Sequence, residues 1–167
     1  PSAIILGLVF GMNVCIDIGY KTWMPDFLQE VHGLEPASAA FNAVIWSYIG
    51  AIIGIMIGCR ITDRLAARGR KVIRFETTSV GFLMTAPFAV LMAFIGNDTL
   101  CYVALFLFGF SRGVYDSSLF ASLFDVVQPR YRATGMGIML CFGFIIGSVS
   151  PTLLGWIRDM LNPQYAI

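Results

Sequence analysis

The chain has 167 residues, 57% of them hydrophobic and only 13% charged, with a formal net charge of +1. A soluble domain carries about 25% charged residues, so this composition, with a mean hydropathy of +0.78, excludes the charged surface of a water-soluble protein and predicts an all-α, polytopic membrane bundle. A net charge this small excludes nothing about partners, and the placement of the charges carries the information.

Five apolar segments follow in chain order. The first runs over about residues 2–20, with a possible extension to Leu28. The others cover about residues 41–59, 72–95, 100–127 and 134–157. Each has the roughly 20 residues that a helix needs to cross the ~30 Å hydrocarbon core. The link from Trp23 to Pro36 is acidic and reads as a loop. Six of the eleven Lys and Arg residues crowd into Arg60 to Arg74, between the second and third segments. Confined to one short connection, this cluster reads as a topology signal and not as a nucleic-acid surface. Arg130 and Arg132 mark the connection on the same side. Basic connections face the cytoplasm, which predicts Pro1 at the cytoplasmic face and Ile167 at the outer face. The expected location is the plasma (inner) membrane. Pro1 in place of Met, and an odd number of spans, predict an internal piece of a longer protein. The Asn97-Asp98-Thr99 glycosylation sequon reads as a chance match to a short pattern.

Four cysteines lie far apart without metal-ligand spacing and read as packing residues, and His32 is the only histidine. Neither a metal site nor a cofactor is expected. An intramembrane serine hydrolase lacks a histidine base, so the chain is not read as an enzyme. A receptor-type helix bundle stays open as a non-transport alternative.

Charge inside a bilayer costs about 2.5–3.5 kcal/mol per group at a helix centre, so such residues face a cavity or a partner. In the first segment Asn13, Asp17 and Lys21 are spaced by four and share one helix face, with Tyr20 beside them. In the fourth, Arg112 and Asp116 are likewise spaced by four, with Tyr115 adjacent. The planar fork of Arg112 suits a carboxylate. Asp17 or Asp116 can take up and release a proton in a cavity of low dielectric. Two plainer readings stay open: Arg112 and Asp116 as an intrahelical structural pair, and Lys21 reaching to the outer interface.

The second and fifth segments carry glycines at fourfold spacing: Gly50, Gly54 and Gly58, then Gly143, Gly147 and Gly155, the latter interrupted by Pro151. The order charged, glycine-striped, plain, charged, glycine-striped suggests two three-helix repeats. They would cover residues 1–97 and 98–167, the second lacking its third helix. Pro151 is expected to kink its helix.

Three motifs resemble those of the major facilitator superfamily of secondary transporters. They are Asp63-Arg64 followed by Gly69-Arg70-Lys71, then Pro129-Arg130-Tyr131-Arg132-Ala133-Thr134-Gly135, then Gly147 through Pro151 and Gly155 to Asp159. In the first, Cys59 stands where the family has glycine, and three extra residues separate the two halves. The resemblance implies the seventh to eleventh helices of a twelve-helix carrier with three-helix inverted repeats, whose missing N-terminal half completes the substrate site. It implies a gating role for Asp63, Arg64, Gly69, Arg70 and Lys71. A finer likeness, in Trp23 to Leu34 and in Gly109 to Asp116, is to the anion:cation symporters and sugar-acid carriers. That implies alternating-access transport of a small organic anion, coupled to a proton or another ion. An exchanger or exporter of another small solute is the alternative.

Overall fold

In a bilayer each backbone polar group needs a partner within its own segment, so apolar runs of this length fold as helices. The computed structural model describes residues 2–68, 73–95 and 97–161, with the side chains of 2–4, 93, 94 and 157–161 left aside. The expected residues Gly69, Arg70, Lys71, Val72, Gly96 and Tyr165 lie outside the described residues, as do the side chains of Arg158 and Asp159. The helices are α1 (Ser2–His32), α2 (Pro36–Ala67), α3 (Ile73–Phe94), α4 (Asp98–Val126), α5 (Arg132–Ser148) and α6 (Ser150–Leu161), with a short 3-10 turn at Pro129–Tyr131. No strand occurs among the described residues. Four segments are long and apolar enough to cross a membrane: Ile5–His32, Pro36–Ala67, Ile73–Met92 and Pro129–Trp156. The remaining helix, α4, has the length, 29 residues, but carries Arg112 and Asp116 along it.

Two helices outrun their expected ends. The Trp23–Pro36 link is not a loop, since α1 continues through Pro25 to His32. Pro25 removes one backbone hydrogen bond, yet Met24 and Leu28 on either side of it are buried in the core, and their burial holds the helix together. The helix ends where Gly33 adopts a positive φ of 63° and donates its N–H to the Gln29 carbonyl at 3.1 Å. This is a left-handed cap that glycine adopts without steric cost. Helix α2 then starts with Pro36 in its first turn, where the missing N–H costs nothing, and it runs past the apolar segment to Ala67. The fifth expected span is split: α5 ends at Ser148 and α6 begins at Ser150. Pro151 sits in the first turn of α6 and has no N–H to give to the preceding turn.

Glycine decides which helices pack. The buried stripe of α2 is Ala39, Ala43, Ser47, Gly50, Gly54, Gly58 and Thr62, and it lies backbone to backbone on α4. A methyl group on Gly50 or Gly54 would collide with the Phe106 or Phe110 carbonyl, and one on Gly109 or Gly113 of α4 with the Ser47 or Ala51 carbonyl. On the other side, Gly143 and Gly147 of α5 admit Phe10, Val14 and Ile18 of α1. So α2 closes on α4 and α5 closes on α1, each through a small-residue face that permits close approach. Hydroxyls add to the first group: Thr62 of α2 donates to Thr77 of α3 at 3.2 Å and lies 3.1 Å from Ser118 of α4.

The apolar core has two parts. One holds Met24, Leu28, Ala39, Ala43, Cys101, Leu105 and Phe108. The other holds Leu6, Phe10, Val14, Tyr115, Leu119, Leu123 and Met139. Along α1, Asp17 and Lys21 lie between the buried members of these two clusters, as Arg112 does along α4.

Candidate functional site

Asp17 lies fifteen residues from each end of α1, and Arg112 fourteen residues from each end of α4. Both are therefore at the middle of a membrane-length helix, where a charge is most costly unless it is partnered. The fold brings them together: Arg112 Nη1 donates to Asp17 Oδ1. The other oxygen, Asp17 Oδ2, accepts from Lys21 Nζ at 2.9 Å. On the far side of Arg112, its Nε stands 3.7 Å from Asp116 Oδ2. Four charges thus form a row that alternates in sign, Lys21, Asp17, Arg112 and Asp116, with a formal sum of zero.

The two carboxylates are held unequally. Asp17 contacts two cations and its side chain is 13% exposed, whereas Asp116 has one longer contact and is 32% exposed. Lys21 is the most open of the four, at 38%, and its ammonium lies 5.5 Å from the centre of the Tyr48 ring, a cation–π distance. The intrahelical spacings that placed Asp17 with Lys21 and Arg112 with Asp116 appear as contacts. The cross-helix pair of Asp17 with Arg112 was not foreseen, and it joins both halves of the row.

The expected neighbours have other partners. Tyr20 donates its hydroxyl to the Ala43 carbonyl of α2 at 2.5 Å and stacks on Phe108 at 4.7 Å. It thereby ties α1 to α2 and α4. Tyr115 and Asn13 are buried, at 1% and 6% exposure, and Tyr115 belongs to the second apolar cluster. Trp46 donates to Asn42 at 3.3 Å and stacks on Tyr102.

At the basic end, Asp63 and Arg64 project from the last turns of α2 and are exposed; the rest of that motif, Gly69, Arg70 and Lys71, lies outside the described residues. Arg74, at the start of α3, grips Asp125 near the end of α4 with one guanidinium nitrogen at 2.8 and 2.9 Å from its two oxygens. Arg132 donates to the Phe124 carbonyl at 3.0 Å. By sequence Arg74 and Arg132 read as topology charges, Arg132 within a family motif as well; in the fold both also tie helix ends together.

A cavity of about 560 Å³ opens between α1, α3, α4 and α6, lined by Tyr20, Trp23, Phe27, Met92, Phe108 and Leu154 among others. It is apolar, and none of the four charged residues of the row lines it. The row itself supplies two cations and two carboxylates at mid-depth, a set able to bind an anion or a proton but offering neither nucleophile nor metal cluster among the described residues.

Comparison with known proteins follows the same lines. Residues 1–151 match the family model of the Major Facilitator Superfamily. An MFS-type efflux pump of Mycolicibacterium smegmatis is 27% identical over 97% of this chain and 38% of the pump. The human sodium-dependent phosphate transport protein 3 is 25% identical over 98% of this chain and 37% of that protein. A probable sulfoacetate transporter of Cupriavidus necator is 24% identical over 84% of this chain and 33% of that protein. The chain thus spans about a third of the length of the curated relatives it matches. No solved structure matches it. The family match covers nearly the whole chain and agrees with the all-α membrane bundle, so the chain belongs to the Major Facilitator Superfamily of membrane transporters.

Proposed function

We propose that this chain is the C-terminal half-bundle of a secondary transporter that moves a small organic anion, a sugar acid in the leading version, by proton-coupled alternating access. The observation that carries the reading is the mid-membrane row Lys21–Asp17–Arg112–Asp116. Its formal charge is zero, so it has no net attraction for an anion. A proton on one carboxylate leaves a net positive row, and the guanidinium of Arg112 is then free to receive a carboxylate or sulfonate through its paired N–H groups. Asp116 is the proton acceptor in this scheme, because Asp17 is held by two cations and Asp116 by one longer contact. Anion and proton thus depend on each other without any covalent chemistry.

Two relatives are named for anions, phosphate and sulfoacetate, which supports the substrate class. The anion:cation symporter likeness in Trp23 to Leu34 belongs to the same proposal. So do the two repeats at residues 1–97 and 98–167, the cytoplasmic placement of the basic loop, the plasma (inner) membrane location and an N-terminal half that completes the cavity. Asp63 and Arg64, with Gly69, Arg70 and Lys71, are assigned to gating at the cytoplasmic end. Pro151, next to the break at Val149, is assigned as the joint of the fifth span.

A second reading is an exporter of a less polar solute. The relative named as an efflux pump and the apolar cavity beside Tyr20 favour it, and the charge row is then structural. Uptake of labelled sugar acids, sulfonates and phosphate by the full-length protein in sealed proteoliposomes separates the two. Stimulation of one anion by an inward proton gradient supports symport. A folded preparation that moves none of them would leave the exporter reading.

A further inference from the structure

The helices pack as two groups. Helix α4 lies along α2 and α3, while α1 lies chiefly along α5 and also meets α2 and α6, and the glycine faces join α2 to α4 and α5 to α1, not α1 to α4. Among the described residues, two contacts pair a carboxylate of one of these helices with a basic side chain of the other. One is the pair of Asp17 and Arg112 at mid-depth. The other lies at the end of the bundle opposite the basic loop, where His32 Nδ1 stands 2.5 Å from Asp98 Oδ1.

This second contact is built from both helix ends. His32 is the last residue of α1 and Asp98 the first of α4. A donor suits the C-terminal end of one helix and a carboxylate the N-terminal end of the other. A carboxylate can only accept, so Nδ1 carries the hydrogen and donates. The His32 side chain is 1% exposed although it lies at the end of the bundle, with Phe27 edge-on at 5.9 Å. One turn into α4, Cys101 is fully buried against Met24 and Leu28 of α1. The contact therefore caps an apolar seam between the two groups.

We propose that His32 and Asp98 form a latch that holds these ends of α1 and α4 together in this state and parts when that face of the transporter opens. The proposal rests on the alternating-access reading for its role in the cycle, but its mechanical part stands alone. Opening the latch uncovers Cys101, which makes that thiol an internal reporter.

The test is the rate at which a maleimide labels Cys101 in the full-length protein in nanodiscs, read on the Cys101 peptide by mass spectrometry. The wild type should label slowly. His32→Phe keeps the ring but removes the donor, and Asp98→Asn removes the charge. Each should speed labelling about tenfold, the weight of one charge-assisted hydrogen bond. His32→Asn places an amide N–H where Nδ1 stood and should stay near the wild-type rate. The double variant H32F/D98N should label no faster than the faster single variant, since both remove one contact. Unchanged rates in H32F and D98N, or singles whose effects multiply in the double variant, would overturn the latch. Faster labelling in a protein that moves no solute would instead sustain the latch and sink the transport reading.

Discussion

Asp17 stands between two cations that come from different helices: Lys21 one turn away on α1, at 2.9 Å, and Arg112 on α4, 95 residues further along the chain. One carboxylate thus holds the two charge-bearing helices in register at the centre of the membrane. Removing it leaves Lys21 and Arg112 facing each other with only Asp116 to offset them. Asp17→Asn is therefore expected to lower anion transport at least about tenfold, a loss of ~1.4 kcal/mol of coupling or binding. Transport at the wild-type rate in this variant would show that the row is dispensable.

Arg112 is expected to resist conservative replacement. Lysine keeps the charge but offers a point donor and not a planar fork. Arg112→Lys should raise the anion KM by roughly tenfold, with the protein still folded by size-exclusion profile. An unchanged KM would return Arg112 to a purely structural role.

Close backbone contact between α2 and α4 makes a prediction independent of function. A methyl group at Gly109 would overlap the Ser47 carbonyl, while Gly137 of α5 has nothing within 4 Å of such a methyl. Gly109→Ala should destabilise by about 1–3 kcal/mol, which lowers Tm by several degrees. Gly137→Ala should leave Tm unchanged or slightly higher, since alanine is the better helix former. Thermal unfolding in detergent compares the two directly. Equal shifts would mean that the helices are further apart than described.

Orientation can be read from accessibility. With the basic loop in the cytoplasm, a cysteine placed at Leu34, in the α1–α2 link, should react with an impermeant maleimide added to intact cells. A cysteine at Arg68, just beyond α2, should react only after permeabilisation. The reverse pattern would invert the assignment of faces.

Helix existence was legible because twenty apolar residues in a bilayer have one way to pair their backbone. The small-residue stripe of α2 was legible too, since fourfold spacing is a property of one helix. Its partner surface, Gly109 and Gly113, was not read as packing, because two glycines four apart carry little signal until α2 lies against them. The sequence ends the first segment near Tyr20 or Leu28, short of the observed end of α1 at His32. A proline predicts a break from local chemistry, whereas the burial of Met24 and Leu28 depends on helices distant in sequence. For the same reason the faces Asn13–Asp17–Lys21 and Arg112–Asp116 were legible, but the contact of Asp17 with Arg112 was not. Spacing sets which residues share a face and says nothing of the depth at which two helices meet. Tyr20 is placed among the site residues by adjacency, and spacing gave no sign that its hydroxyl reaches the Ala43 carbonyl of α2.

The most direct measurement of the proton-coupling claim loads full-length protein into proteoliposomes with a pH-sensitive dye, at zero membrane potential, and adds the transported anion outside. The account predicts that the lumen acidifies as the anion enters with the wild type. With Asp116→Asn, anion exchange should persist while lumen pH stays flat. Anion entry through the wild-type protein without acidification would contradict it.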